Sequence, residues 1–212
     1  GDRLPAWRQS TVNAQLYRLQ KVVTRGARQF RQPPPIDFTG FVQRVSFTPT
    51  RPAFSREWIE QRLLAPHALD GLDLQARCIL LGMINTGYRL SEGANLRPVD
   101  IRLEDTIPHI IIQPHDRMLK TRHSFRFIPL AGISLQALRA CPHGFSTYRD
   151  KASLSARLNR FLTHAGLRES PGHSVYGLRH SFEQRLIDTG AERHILTELM
   201  GHSDGRPRYA RP

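Results

Sequence analysis

The stretch YGLRHSFEQRLIDTGAERHILTELMGH, residues 176–202, holds the side chains best suited to chemistry. Arg179 is a permanent cation whose planar fork matches two oxygens of a phosphate. His202 titrates near neutral pH and can accept or donate a proton. Tyr209 follows seven residues later in a short Arg- and Pro-rich tail, and its phenol can serve as a nucleophile. Together these three residue types point to chemistry on a phosphate. Two helices are needed to hold them. Leu178, Phe182 and Leu186 recur at helical spacing, and Tyr176 and Arg179 share a neighbouring polar face. Gly190 reads as the stop of that helix. Ile195, Leu196, Leu199 and Met200 form the stripe of a second helix, which Gly201 ends and from which His202 leaves.

Composition supports a polyanionic partner. The 212 residues carry 31 Lys and Arg against 18 Asp and Glu, a net +13, which makes nucleic acid the first candidate. A solvated basic surface is the plainer alternative. Hydrophobic residues at 39% suit a globular chain. The longest apolar run, CILLGMI, is far too short to span a bilayer, and no basic amphipathic helix with a bulky apolar face suggests a membrane surface. The polar, basic N-terminus has no signal-peptide pattern, and the opening GD suggests a trimmed piece of a longer protein. Cys78 and Cys141 support neither a disulfide framework nor a zinc site, which fits a reducing, cytoplasmic setting. The ten histidines show no metal-binding spacing, so no metal is expected.

LRHSF followed by LMGHS resembles the second signature of the tyrosine recombinases, the phage-integrase family. That family's usual form is HxLRH, a helix pair, LGH and then a tyrosine. The resemblance calls for a first arginine in a TGxRxSE-like box, and TGYRLSEGANL, residues 86–96, supplies Arg89. It also calls for a lysine on a β-hairpin between the boxes, and LKTRHSFRFIPL supplies Lys120. Four ordered elements make the match specific, although each alone would be weak. It covers residues 54–209 and not the N-terminal segment.

In order along the chain, residues 1–53 read as a basic arm and linker. Arg3, Arg8, Arg18, Lys21, Arg25 and Arg28 accompany one helix, and RQPPPID breaks it. They touch DNA backbone or are simply solvated. Residues 54–212 read as a catalytic domain that is mainly α with a small three-stranded antiparallel sheet, an α+β integrase-like fold. Ser55 caps a helix over 57–64. Residues 72–85 form a buried helix that Gly87 ends, and Ser91 caps a short helix with Glu92 at its positive end. Strands are expected at 100–103, 109–113 and 125–130, and helices at 134–139 and 152–164. Arg122, His123 and Arg126 read as phosphate contacts or solvated charges. His164 and His173 read as surface or capping residues, and His180 as a buried support beside Arg179.

The resemblance implies roles as follows. Arg89 and Arg179 grip the non-bridging oxygens of the scissile phosphate, Tyr209 attacks it, Lys120 protonates the departing 5′ oxygen, and His202 assists. The covalent link conserves the bond energy, so no cofactor is required. The partner is double-stranded DNA, cut within a tetrameric synapse on a bacterial or phage nucleoid. Two departures stand out. Tyr176 occupies the position where the family has histidine, and a phenol, with an ordinary pKa of about 10, is a poor base at neutral pH. Tyr176 is otherwise a packing residue or a rival nucleophile. The interval from His202 to Tyr209 is seven residues where nine is common. The sequence also ends three residues after Tyr209, where the family continues into a helix that docks on a neighbour, and a piece cut there is expected to be monomeric. A DNA-binding module that has lost turnover is the alternative function. A helix-turn-helix regulator would explain the charge but neither arginine box.

Overall fold

The computed structural model describes residues 9–43, 51–115 and 125–202. The chain forms two compact units, residues 1–50 and 51–212. In the first, α1 (Gln9–Gln29) is the main element. Asn13 donates to Gln43 O at 2.7 Å, and Gln20 accepts from Phe38 N at 2.6 Å, so the segment after the helix folds back along it.

The second unit is built round α3 (Leu74–Thr86). Asp73 accepts from Ala76 N at 3.0 Å and so starts the helix, a cap the sequence reading placed inside a longer run. Ala76, Ile79, Leu80 and Met83 are fully buried, and the helix is enclosed by α5 (Gly132–Ala140), α6 (Ser153–His164) and α7 (Gly177–Asp188). Burial at about 1.5–3 kcal/mol per large apolar side chain makes α3 the anchor of the core. Upstream, Ser55 caps α2 (Arg56–Trp58) by accepting from Trp58 N at 3.1 Å. The expected helix over 57–64 then widens, with Leu64 N donating five residues back to Ile59 O at 2.9 Å. Cys78 and Cys141 are both buried free thiols.

The sheet is antiparallel in the order β1 (Ile101–Arg102), β2 (His109–Ile112), β3 (Arg126–Pro129). Ile110 faces both Ile101 and Ile128, and Ile112 faces Arg126. All five point inward, while Phe127 points outward. The expected class, mainly helical with a three-stranded antiparallel sheet, is the fold observed. Among the described residues no helix is long and apolar enough to cross a membrane.

Candidate active site

The corner between α3 and α4 (Leu90–Ala94) carries Arg89. Tyr88 fixes that corner from beneath. Its hydroxyl donates to Ile79 O at 2.8 Å, and its ring fills the space that a side chain at Gly82 or Gly93 would need. The cap of α4 is Arg89, not Ser91 as the sequence suggested. Glu92 does what a third-position acid does: its Oε2 accepts from Arg89 N at 2.7 Å. Its Oε1 accepts from Arg89 Nη1, also at 2.7 Å, so one carboxylate orients both the backbone and the guanidinium.

Arg179 projects from the first turn of α7 and is buried. Its Nη1 donates to Gly87 O at 2.5 Å, and its Nη2 donates to Met200 O. It therefore ties the end of α3 to the end of α8 (Arg193–Met200), two segments 113 residues apart by 200 − 87. Nη2 also lies 3.2 Å from His202 Nε2. An arginine can only donate, so Nε2 is the acceptor and the proton sits on Nδ1, which faces Glu183 Oε1 at 3.5 Å. Burial lowers the His202 pKa, and the charge of Arg179 lowers it further against the pull of Glu183. The imidazole is thus held neutral. Burial, then the charge of Arg89, lowers the Arg179 pKa from its high ordinary value.

Arg126 is a residue the sequence reading misjudged. It is neither a phosphate contact nor a solvated charge: its side chain is 0% exposed. Nη2 and Nη1 donate to Glu92 Oε2 and Oε1 at 2.7 and 3.2 Å, and Nε donates to Leu199 O at 2.9 Å. Burial raises the Glu92 pKa, but hydrogen bonding and charge from Arg126, with help from Arg89, outweigh it and leave the carboxyl below its ordinary value. The alternation of RFIP held the clue. Arg126 shares its face with Ile128, and a cation facing a core requires an anion there.

Tyr176 precedes α7 and is half-buried. Its ring meets His180 edge-on, centroids 5.1 Å apart, with Arg51 5.7 Å from its centroid on the cation–π side. It lines a cleft of about 450 Å³ with Arg89, Asn95, Asp150, Lys151 and Ser155. His180 is half-exposed rather than buried as expected, and lies 3.8 Å from Glu183. Among the described residues His173 is the buried histidine. It accepts from Ser170 N at 3.0 Å and pairs with Ala53 O at 3.0 Å, a structural role far from a surface one. His164 is exposed. Lys120 and Tyr209, together with Arg122 and His123, lie outside the described residues. The fold thus brings together Arg89, Arg179 and His202, with Tyr176 on the adjoining cleft. A second groove of about 420 Å³ between β3 and α8 is lined by Ile107, Phe127, Ile195 and Leu199. Phe127 lies on the opposite face of β3 from Arg126, so this groove is separate from the arginines.

Comparisons with known proteins bear on the family and the fold. The model of the phage integrase family matches residues 57–207. The tyrosine recombinase XerC of Syntrophus aciditrophicus (strain SB) is 28% identical over 153 residues, covering 65% of this chain and 48% of its own. XerC of Haemophilus influenzae (strain PittEE) is 23% identical over 159 residues, covering 68% and 50%. The chain therefore spans about half the length of the curated relatives it matches. Among solved structures, the Tn1549 transposon integrase bound to transposon right end DNA superimposes with a TM-score of 0.69 at 16% identity, over 94% of this chain and 73% of that one. XerH bound to palindromic difH substrate gives 0.53 at 21%, over 72% and 46%.

Proposed function

The chain belongs to the phage integrase family, and from that premise we propose that it is the catalytic part of a tyrosine-type site-specific DNA recombinase. In this reading residues 54–212 are the catalytic domain and residues 1–53 a basic arm and linker. The observation that carries the reading is the meeting of Arg89, Arg179 and His202. Arg179 Nη2 bonds Met200 O and lies 3.2 Å from His202 Nε2, while Arg89 Nη2 reaches Gly201 O at 3.4 Å. Two forks and a neutral imidazole converging on one point suit a phosphate whose non-bridging oxygens gain charge as it is attacked.

The reaction balances without a cofactor. The Tyr209 oxygen forms a bond to phosphorus and loses its proton. The bond from phosphorus to O5′ breaks, and Lys120 gives that oxygen a proton. The product is a 3′-phosphotyrosyl link and a free 5′ hydroxyl. Attack by a 5′ hydroxyl from a second duplex reverses the step and joins new partners. Four protomers on two duplexes supply the synapse. Arg89 and Arg179 hold the phosphate throughout. His202 takes the proton that the tyrosine loses at Nε2, the nitrogen that accepts from Arg179 Nη2 in the resting site, as that hydrogen bond gives way. Tyr176 donates a hydrogen bond to the phosphate from the position where the family has histidine.

A duplex nicked just beyond the scissile phosphate tests this. Loss of the short fragment traps the covalent link, and mass spectrometry maps it. The expected adduct is on Tyr209 and vanishes in Tyr209→Phe, with binding retained. An adduct on Tyr176 would overturn the nucleophile assignment. Retained DNA binding with no adduct on a functional site would favour the second reading, a binding module that has lost turnover. The observation behind that second reading is the phenol at position 176 in place of an imidazole.

A further inference from the structure

Three arginines take three successive carbonyls at the end of α8. Arg126 Nε donates to Leu199 O at 2.9 Å, Arg179 Nη2 to Met200 O, and Arg89 Nη2 to Gly201 O at 3.4 Å. The last carbonyls of a helix have no partner within it, and its negative end favours cations. Arg126 differs from the other two. Its side chain is buried, as that of Arg179 is, but it is the one of the three whose Nη1 and Nη2 both donate to a carboxylate. Its two outer nitrogens grip Glu92, and Glu92 in turn grips both the guanidinium and the backbone N–H of Arg89.

We propose that Arg126 is a positioning residue: one buried guanidinium that fixes the register between Arg89 and the end of α8 from which His202 projects. The proposal rests on the recombinase reading for its chemical consequence, but not for its geometry. The reach of arginine explains the choice of residue. Its Nε points to a carbonyl while Nη1 and Nη2 point to a carboxylate, so one planar group holds two bodies at a set angle. A lysine could keep the charge opposite Glu92 but could not span both partners. The fit is also closed from the other side. A Cβ on Gly201 would lie 2.8 Å from Arg126 Nη1, so neither the helix end nor the guanidinium has slack. Any loosening at Arg126 therefore shifts Arg89 against His202 while removing neither from the site.

The test uses the full chain and the variant Arg126→Lys, with three readouts. The first is the thermal midpoint. The second is hydrogen exchange in peptides covering residues 193–202. The third is binding to, and covalent attachment on, nicked duplexes drawn from a random-sequence pool by wild-type binding. The expected result is a near-wild-type midpoint and unchanged DNA affinity. Exchange at the end of α8 should rise about tenfold. Attachment at saturating protein should fall on the order of 100-fold, the scale of an ångström-sized misplacement. Should Arg126→Lys fail to fold, the paired variant Arg126→Gln with Glu92→Gln removes both buried charges together and takes its place. Exchange and attachment both at wild-type levels would overturn the proposal. A parallel fall in midpoint, affinity and attachment would also overturn it, because that is the signature of a plain core residue. If wild type itself gives no Tyr209-dependent attachment, the recombinase reading fails, and the exchange measurement still decides the positioning claim.

Discussion

The cations of α1 and those gathered at the end of α8 are similar residues under different physics. Arg18, Lys21, Arg25 and Arg28 are exposed, and such charges act through water and are screened beyond about 8 Å at physiological salt. Arg126 and Arg179 are buried, and each is matched to named oxygens. A net charge of +13 is spread over both kinds, yet only the second kind has geometry. Charge attracts a polyanion; arrangement decides what is done to it. In α1 a cation can be lost alone. Around α8, Arg89 and Arg126 share the Glu92 carboxylate, and Arg179 bonds the carbonyls of Gly87 and Met200.

Breaking that dependence should give the largest effect. Glu92→Gln leaves Arg126 buried without its anion, and a broken buried pair costs about 3–5 kcal/mol. Urea unfolding of wild type and variant measures it, and a change like that of a surface substitution would contradict the closed network. Next comes a pair of glycines. Gly190 and Gly201 both have left-handed backbones, φ +72° and +61°, but a Cβ at Gly190 meets nothing within 4 Å while one at Gly201 meets Arg126. Gly190→Ala should cost about 1–2 kcal/mol from backbone strain alone. Gly201→Ala should cost more and should also slow covalent attachment; equal losses would show that Arg126 can yield.

Two pH effects are smaller. The Glu92 carboxyl sits below its ordinary 4.5 in the folded chain, so its contribution to stability is full above 4.5 and is lost as pH falls through the lower folded value. Thermal midpoints from pH 6 to 3 should show that loss in wild type and not in Glu92→Gln. His202 is depressed from 6.5, so attachment that needs its neutral form should hold through 6.5 and fall only below it. A decline centred above 6.5 would contradict its environment. The smallest effects belong to α1. Single changes such as Arg25→Gln should alter stability by less than about 0.5 kcal/mol. Any DNA contact there should appear as a reduced salt slope, roughly one per phosphate lost.

How much of this the sequence revealed depended on whether a residue's surroundings were local. Arg179 and His202 were legible at helix ends that periodicity and glycine mark, and Arg89 through the resemblance of its TGYRLSE box to a known family. The three strands and the buried α3 followed from apolar runs. Arg126 was not legible as a buried group, because its partners come from α4 and α8, 34 and 73 residues away. Only its alternation with Ile128 hinted at an inward cation. Ser91 looked like the natural cap, yet α4 begins earlier because Tyr88 and Gly87 fix the corner. His173 is buried for the same kind of reason: the loop at 169–173 closes on Ala53 and Phe54, contacts that no local pattern carries.

The most direct test of the central claim, that two arginine forks and His202 form a phosphate site, is the attachment rate of Arg179→Lys on a trapped nicked duplex at saturating protein. Lysine keeps the charge but cannot bond Gly87, Met200 and a phosphate with one planar group. The account predicts a fall on the order of 100-fold to 1,000-fold with DNA still bound. Attachment at the wild-type rate would contradict it.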